Sequence, residues 1–247
     1  MIHFLSDLHL APGDGLTRRF VEYLDGPARE ASSVFILGDL FNVWLGDDLS
    51  MPEHVASIDA LAAATAAGLQ IRVMHGNRDF LLGNIFASAT GTTLIPDPWI
   101  GELAGVRTLL THGDRYCTQD RGYQAYRAIV RSASVQRAFY GMPQRWRMSV
   151  ADRLRQRSRD ATPMKALDIT DVDDKALYAA ARTEQVARII HGHTHRPAIH
   201  RVGRGKQIIE RYVLEDWRVD TGGSVMTLAD DGAIDFIPIA PPQLAAA

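Results

Sequence analysis

The sequence predicts an α/β protein with a helical insertion, and three observations support this fold class. Short runs rich in Ile, Val, Leu and Phe alternate with helical patterns over the first 115 residues, as expected for a sheet covered by helices. From about Asp120 to Ala166, strand-like runs vanish and the chain is helical, aromatic and basic. Strand patterns then return. We therefore expect a single domain over residues 1–247, with a helical cap inserted at residues 120–166.

The elements of the α/β part follow from apolar periodicity and from residues typical of helix boundaries. Strand patterns cover residues 2–6, 33–37, 70–74, 106–111, 188–190, 210–213, 224–229 and 234–239. Helical patterns cover residues 17–24 and 53–67, and the second of these lies between Pro52 and Gly68. Residues 230–232, Asp-Asp-Gly, predict a hairpin turn between the last two strands.

Composition excludes several classes of protein. The 247 residues are 46% hydrophobic with a formal net charge of −2, which excludes disordered and fibrous chains and argues against a generally basic nucleic-acid binder. Cys117 is the only cysteine, so an intrachain disulfide and a thiolate zinc cage are both excluded. No window approaches the roughly 18 apolar residues that cross a bilayer. The first residues are typical of a strand rather than a signal peptide, so we expect a cytoplasmic protein.

Basic charge is concentrated in the predicted cap. Residues 115–165 contain twelve Arg or Lys and three acids, a balance of +9, which leaves −11 for the rest of the chain. Trp146, Val150 and Leu154 form an apolar stripe at helical spacing among arginines, and a shorter stripe begins at Tyr126. This pattern suits a cap that holds acyl chains, or a helix lying on an anionic membrane surface. For any single Arg, a solvated basic face is the commoner explanation.

Residues of the types that bind metal ions follow five of the predicted strands. They occur in the blocks Ser6-Asp7-Leu8-His9, Gly38-Asp39, His75-Gly76-Asn77-Arg78-Asp79, His112-Gly113-Asp114 and His191-Gly192-His193-Thr194-His195. In an extended chain, the side chains of Asp7 and His9 would point to the same side, and so would those of His193 and His195. The glycines permit tight turns and close backbone approach. Carboxylates and imidazoles with one amide and no thiolate suit Mn²⁺, Fe²⁺, Zn²⁺ or Ni²⁺.

The number of these groups predicts a dinuclear site. Seven ligands are too many for one ion, but they fit two ions about 3.5–4 Å apart that share a bridging carboxylate. A single His or Asp beside a strand end is usually structural, whereas five such strand ends in one chain are not independent accidents. Motifs for a phosphate-binding loop, a dinucleotide fingerprint and a nucleophile elbow are absent from the sequence.

Taken together, the blocks resemble the calcineurin-like metallophosphoesterase superfamily. The resemblance implies a four-layer αββα sandwich with a helical cap. It also implies two metal ions, one held by Asp7, His9, Asp39 and His195, and the other by Asp39, Asn77, His112 and His193. Asp39 would bridge the two ions. His191 is left outside both sets, so we expect it to have a supporting or structural role.

Longer strings at residues 38–48, 75–83, 112–124 and 191–197 are similar to the UDP-2,3-diacylglucosamine pyrophosphatase (LpxH) family. This resemblance implies hydrolysis of UDP-2,3-diacylglucosamine to UMP and 2,3-diacylglucosamine 1-phosphate (lipid X) in lipid A biosynthesis, with two Mn²⁺ per chain. It implies attachment to the cytoplasmic face of the inner membrane, with no nucleic acid and no obligate protein partner. It also implies substrate contacts at Asn77, Arg78, Asp120, Ser158, Thr162, Lys165 and His193. Thr162 stands where the family often has Asn.

Arg78 gives a chemical reason to prefer a pyrophosphate substrate. A guanidinium cannot act as a general acid at neutral pH, but it can stabilise charge on phosphoryl oxygens. A phosphoanhydride expels a phosphate and needs no acid, unlike an alkyl phosphate. We take Asn77, Arg78 and His193 as the candidate catalytic residues. Arg78 could instead pair structurally with Asp79 or Asp114.

Two other functions stay open at this point. One is a different calcineurin-like phosphodiesterase that acts on nucleotides or nucleic acid. The other is a non-catalytic scaffold of the same fold, which would be expected to lose metal ligands. Every ligand position is filled in this sequence, which favours an enzyme.

Overall fold

The first sheet carries, at the ends of its strands, the candidate ligands that come first in the sequence. The structure is a computed structural model that describes residues 1–150, 171–204 and 207–242. This sheet contains β1 (Ile2–Leu5), β2 (Ser33–Leu37), β3 (Gln70–Met74), β4 (Thr93–Ile95), β10 (Gly223–Leu228) and β11 (Ile234–Ile239). Its order is β11-β10-β1-β2-β3-β4, and β1 to β4 run parallel. β2 is buried along its whole length, as expected for a parallel strand covered on both faces.

The second sheet supplies the remaining candidate ligands. It contains β5 (Trp99–Leu103), β6 (Val106–Thr111), β7 (Arg188–His191), β8 (Ala198–Arg204) and β9 (Gln207–Val213). Its order is β5-β6-β7-β9-β8. β7 lies between β6 and β9 and runs parallel to both, so the ends of β6 and β7 lie side by side.

Helices cover the outer faces of both sheets. The described helices are α1 (Leu16–Asp25), α2 (Asp47–Ser50), α3 (Val55–Ala66), α4 (Asn84–Thr90), α5 (Arg121–Val130), α6 (Ala133–Tyr140), α7 (residues 144–150) and α8 (Asp174–Thr183). Phe20 of α1, Leu61 of α3 and Phe86 of α4 pack in one cluster on the first sheet. Leu177 of α8 packs with Ile189 on the second sheet.

A central core joins the two sheets. Residues on the inner face of the first sheet, such as Phe4 and Phe35, pack with Leu110 and Ile190 of the second sheet. Each such side chain contributes about 1.5–3 kcal/mol when it is fully buried. The layers are therefore helix, sheet, sheet and helix, which confirms the predicted αββα sandwich.

Three strands and three helices of the described residues were not predicted from the sequence. β4 has three residues, β5 is mostly half-exposed, and β8 is an edge strand with polar residues, so their patterns are weak. β9 begins at Gln207, earlier than predicted, because it pairs with β8 along its length. The helices α2, α4 and α8 were not predicted, and α2 has only four residues.

Part of the predicted cap lies in the described residues. Residues 121–150 contain α5, α6 and α7, while residues 151–166 lie outside the described part. The boundaries of the cap therefore stay a prediction. Within the described ranges, no helix has the length and apolar character needed to cross a membrane.

Candidate metal centre

The loops that follow β1, β2, β6 and β7 carry candidate ligands, and backbone hydrogen bonds join these loops in pairs within each sheet. The backbone N–H of Asp7 donates to the carbonyl of Gly38 at 3.1 Å, and that of His9 donates to the carbonyl of Asp39 at 3.0 Å. Across the second sheet, the N–H of Gly192 donates to the carbonyl of His112 at 3.0 Å. Because parallel strands end at the same edge of a sheet, these bonds bring the loops together.

Asp7, His9 and His195 form the first group of donors. The Oδ1 atom of Asp7 lies 3.3 Å from Nε2 of His195 and 3.9 Å from Nε2 of His9. The two Nε2 atoms are 3.2 Å apart. These atoms all lie within 4.8 Å of one another, which is a spacing that one metal ion could span.

A second group is formed by Asp7, Asp39 and His112, whose donor atoms also lie within 4.8 Å of one another. Nε2 of His112 is 2.9 Å from Oδ1 of Asn77. The ring of His193 lies 5.0 Å from that of His112, centroid to centroid. The structure therefore brings all seven candidate ligands to one place.

Asp39 belongs to the second group and also lies close to His9 of the first, whereas Asp7 is a member of both groups. The Oδ2 atom of Asp39 is 3.8 Å from Nδ1 of His9, and its Oδ1 atom is 3.8 Å from Nε2 of His112. A carboxylate that is close to imidazoles of both groups could bridge two ions. The bridging role itself stays a prediction.

The donor set fits divalent ions on charge and on unmet hydrogen bonding. Asp7 and Asp39 are both almost completely buried, and two carboxylates held together out of water repel each other. Among the described residues, Oδ1 of Asp7 and Nδ1 of His9 are buried without a hydrogen bond. Buried polar atoms are normally satisfied, and cations held between these oxygen and nitrogen atoms would satisfy them.

Burial and neighbouring charges shift the pKa values of these carboxylates and imidazoles in different directions. Burial raises the pKa of Asp39 to about 7. Burial also opposes ionisation of Asp7, but the neighbouring His195, His112 and His9 hold its pKa well below its usual range. Burial lowers the pKa of His9 and of His193 to about 3 in each case, so both imidazoles are neutral and able to bind a metal at pH 7.

Left-handed backbone is concentrated at the candidate ligands. Among the described residues, seven that are not glycine have positive φ, and five of these are Asp7, His9, Asp39, His193 and His195. Such conformations cost about 1–3 kcal/mol each and cluster at functional sites. The expectation of extended chain at residues 7–9 and 193–195 is wrong. The backbone turns at these five ligands, and these turns bring the side chains together.

Two glycines permit the close approach of the ligand loops. A Cβ atom added to Gly76 would lie 2.1 Å from Oδ1 of Asp39, and one added to Gly192 would lie 2.2 Å from Oδ2 of Asp7. Any side chain at either position would push a carboxylate out of place.

Arg78 borders the centre on its open side. Its backbone N–H donates to Oδ1 of Asp39 at 2.8 Å, and its Nη1 donates to Oδ1 of Asn42 at 2.8 Å. Its Nε is 3.5 Å from Oδ2 of Asp39, and its side chain is 47% exposed. Asp39 and Asn42 are therefore its partners, and the pairing with Asp79 or Asp114 that we considered is not found.

Sequence reasoning missed the organising role of Asp79. This buried carboxylate accepts hydrogen bonds from the backbone of Gly76 at 2.8 Å, and from Asp39 and Phe41 at 3.3 Å each. It thereby ties the loop after β3 to the loop after β2. Its place within the block at residues 75–79 is the only sequence signal for this role.

Asp120 and Tyr123 bring the cap to the centre. Asp120 precedes α5 and accepts a hydrogen bond from the backbone N–H of Tyr123 at 3.0 Å, as a helix N-cap does. The ring of Tyr123 stacks on His193 at a centroid distance of 6.3 Å. The other predicted substrate contacts, Ser158, Thr162 and Lys165, lie outside the described residues.

His191 and Cys117 take no part in either donor group. Nδ1 of His191 lies 2.9 Å from the carbonyl oxygen of Gly192, and the ring is fully buried. Burial raises the pKa of the Cys117 thiol to about 12, which makes it a poor nucleophile.

Comparison with known proteins identifies the family. A family model described as calcineurin-like phosphoesterase matches residues 1–197, which include all seven candidate ligands. The chain belongs to this family. The family predicted from the motif blocks is thus confirmed, and so is the prediction of a phosphoesterase.

Relatives in this family extend the match over nearly the whole chain. UDP-2,3-diacylglucosamine hydrolase from Escherichia coli O81 (strain ED1a) is 42% identical over 236 residues, covering 95% of this chain and 98% of the relative. The protein of that name from Shigella sonnei (strain Ss046) matches to the same extent. A dimetal phosphatase from Danio rerio superposes with a TM-score of 0.50 at 14% identity, covering 97% of this chain and 98% of the other. That likeness supports the fold alone.

Proposed function

We propose that this chain hydrolyses the pyrophosphate bond of UDP-2,3-diacylglucosamine, giving UMP and 2,3-diacylglucosamine 1-phosphate for lipid A biosynthesis. The proposal depends chiefly on 42% identity, over 95% of the chain, to relatives that carry the name UDP-2,3-diacylglucosamine hydrolase. The complete set of converging ligands supports catalysis rather than a scaffold.

Two Mn²⁺ ions would be held by the seven candidate ligands. Asp7, His9, Asp39 and His195 would bind one ion, and Asp39, Asn77, His112 and His193 would bind the other. When bound, such ions stabilise charge on phosphoryl oxygens and activate water for in-line attack on phosphorus. In our proposal the phosphorus on the uridine side is attacked.

Asn77, Arg78 and His193 would stabilise the phosphate during the reaction. The guanidinium of Arg78 is half-exposed and is anchored by Asn42 and Asp39, so it can reach a phosphoryl oxygen without leaving the centre. It carries a permanent charge and cannot act as an acid. This suits a phosphate leaving group, which departs without protonation.

The substrate would lie between the centre and the cap. Asp120 stands at the start of α5, where it accepts a hydrogen bond from Tyr123, and the ring of Tyr123 stacks on His193. From this position Asp120 could contact the sugar nucleotide. Ser158, Thr162 and Lys165 would contribute further contacts. The exposed apolar side chains of the described cap, which include Ile129 at 59% exposure and Trp146 at 58%, suit acyl chains or a lipid surface.

The activity test uses purified protein with UDP-2,3-diacylglucosamine, and products are separated by thin-layer chromatography. We expect UMP and the acylated sugar phosphate with Mn²⁺, and no product with EDTA. Undiminished turnover in metal-free protein would contradict the dinuclear mechanism. Preferential cleavage of nucleotides or nucleic acid would replace the substrate assignment.

We further propose peripheral attachment of the cap to the cytoplasmic face of the inner membrane. The test is sedimentation with vesicles of neutral lipid, or of neutral lipid mixed with phosphatidylglycerol. We expect co-sedimentation with the anionic vesicles only, and its loss at high salt. Trp146→Ser should weaken binding. Phe236→Ser is the matched control, because Phe236 is 41% exposed on β11, away from the cap. Equal binding to both kinds of vesicle would contradict the electrostatic part.

A further inference from the structure

His195 is held from behind by a carboxylate that is not among the seven candidate ligands. Its Nδ1 atom lies 3.0 Å from Oδ2 of Asp216. An ionised carboxylate can only accept a hydrogen bond, so Nδ1 must carry the proton. The opposite ring nitrogen, Nε2, then faces Oδ1 of Asp7 at 3.3 Å and Nε2 of His9 at 3.2 Å.

Asp216 is itself fixed in place. It is 6% exposed, and its Oδ2 atom accepts a second hydrogen bond from Nε of Arg218 at 2.8 Å. The next residue, Trp217, is buried, and its backbone N–H donates to the carbonyl of Asp7 at 3.1 Å. The loop after β9 is therefore tied directly to Asp7, which belongs to the same donor group as His195.

The ring of His112 is oriented in a different way. Its Nδ1 atom lies 2.9 Å from the backbone carbonyl of Leu37, and its Nε2 atom faces Asn77. A neutral carbonyl fixes the direction of the ring but adds no charge. The carboxylate of Asp216 does both, so it also increases the electron density on the His195 ring.

We propose that Asp216 is a positioning residue for the metal centre. It holds His195 in the form whose Nε2 is directed at Asp7 and His9, and it strengthens the binding of a divalent ion by this group. Arg218 restrains Asp216 from the solvent side, where its own side chain is 51% exposed. This inference rests on the dinuclear centre of the proposed function, but not on the identity of the substrate.

The test measures Mn²⁺ binding to the full-length protein by isothermal titration calorimetry. We expect Asp216→Ala to weaken one of the two binding steps by about 10–100-fold. Asp216→Asn should weaken it less, because the amide oxygen still accepts from Nδ1 while the charge is lost. Asp220→Asn is the matched control, since Asp220 is exposed in the same loop, and it should bind like the wild type. Wild-type affinity for both ions in Asp216→Ala would overturn the proposal.

A double-mutant cycle separates positioning from a general loss of structure. If Asp216 acts through His195, then Asp216→Ala should cause little further loss of Mn²⁺ affinity in a His195→Gln background. Losses that simply add would contradict this, and thermal unfolding shows whether each variant is folded. A wild-type chain that binds two Mn²⁺ but leaves UDP-2,3-diacylglucosamine intact refutes the substrate alone. A wild-type chain that binds no divalent ion contradicts both proposals.

Discussion

Asp39 shows how single residues at this centre give up stability for function. It is buried against a second carboxylate, that of Asp7, and its backbone has a φ of 52°. Burial is also the main cause that raises its pKa to about 7, so its ionised form is unfavourable without a cation. A cation bound between the two carboxylates would favour the ionised form of Asp39.

We expect Asp39→Asn to stabilise the metal-free protein and to abolish its response to metal. The pKa of Asp39 is raised from 3.8 to about 7 on folding, so its ionisation opposes folding fully above pH 7 and not at all well below pH 4. At pH 8 in EDTA, the melting temperature of Asp39→Asn should therefore exceed that of the wild type by about 2–5 °C.

Calorimetry in EDTA and in Mn²⁺ measures both effects. The gain in melting temperature should disappear towards pH 4, and Mn²⁺ should stabilise the wild type but not the variant. A variant that is less stable than the wild type in EDTA would show that the Asp39 carboxylate stabilises the fold without metal.

Arg78 is the residue whose removal should affect the reaction but not the metal. It contacts Asp39 through a backbone N–H that persists in any variant, so the ligand stays in place. We expect Arg78→Ala to lower kcat by about 10²–10³-fold, as does removal of other donors to transition-state oxygens, with unchanged Mn²⁺ content. Arg201→Ala, at a side chain that is 72% exposed on β8, is the control. Loss of Mn²⁺ from Arg78→Ala would instead indicate a structural role.

At the scale of elements, helix α5 is clamped to the end of β6. Oδ2 of the buried Asp114 accepts hydrogen bonds from the Tyr123 hydroxyl at 2.6 Å, from Nε of Arg127 at 2.8 Å and from Nη2 of Arg131 at 3.2 Å. Arg131 also donates to the carbonyl of Gly76 at 2.8 Å. One face of α5 therefore contacts two of the loops that carry metal ligands.

A second contact holds the cap at α7. Arg147 pairs with Asp48 of α2, with Nη1 donating to Oδ1 at 3.0 Å. The Tyr140 hydroxyl donates to the carbonyl of Leu81 at 3.0 Å. The described part of the cap is therefore attached to the core at α5 and again at α6 and α7. This arrangement suits a wall of the site rather than a free domain.

We expect Asp114→Ala to release α5 from the core. Removal of one partner from a buried charge network costs about 3–5 kcal/mol, because the remaining charges lose their compensation. Limited chymotrypsin digestion should then cut within residues 121–150 before the rest of the chain, and KM for the proposed substrate should rise. Arg121→Ala removes an exposed charge at the start of the same helix and should change neither result. Unchanged digestion of Asp114→Ala would show that other contacts hold the cap.

For the whole molecule, the net charge of −2 hides two opposite regions. The catalytic part gathers buried carboxylates at the meeting point of two sheets, while residues 115–165 carry a charge balance of +9. Bound cations would offset the first, and an anionic lipid or its membrane would offset the second. The charge of each region therefore matches the chemistry proposed for it.

Metal binding by the whole centre should release protons at pH 7. Burial alone would lower the pKa of both His112 and His195, but neighbouring carboxylates raise these values to about 9 and about 10. Both imidazoles are therefore protonated in the metal-free protein, and a metal must displace a proton from each. We expect Mn²⁺ affinity to increase from pH 6 to pH 9.

Calorimetry in buffers with different ionisation enthalpies measures this release. The observed heat should depend on the buffer at pH 7, and this dependence should weaken as the pH rises towards 9, where His112 loses its proton. A heat that is independent of buffer at pH 7 would contradict the release of protons from His112 and His195.

The pattern of buried strands was predictable because it depends on local composition. β2, β3, β6 and β11 lie at the predicted residues, since apolar runs bounded by turn residues leave few alternatives. The metal-binding residues were also predictable. They follow predicted strands, and the ends of parallel strands meet at one edge of a sheet. β8 was missed because an edge strand need not be apolar on both faces.

The amino-acid order therefore specifies the fold class, the family and the chemistry of the donors, because each is carried by short motifs and their periodicity. Folding specifies the left-handed turns at the ligands, the clamp of Asp114 on α5 and the support of His195 by Asp216. These features join residues that are far apart in the chain. Their geometry depends on how two sheets and a cap pack together, and no local pattern records it.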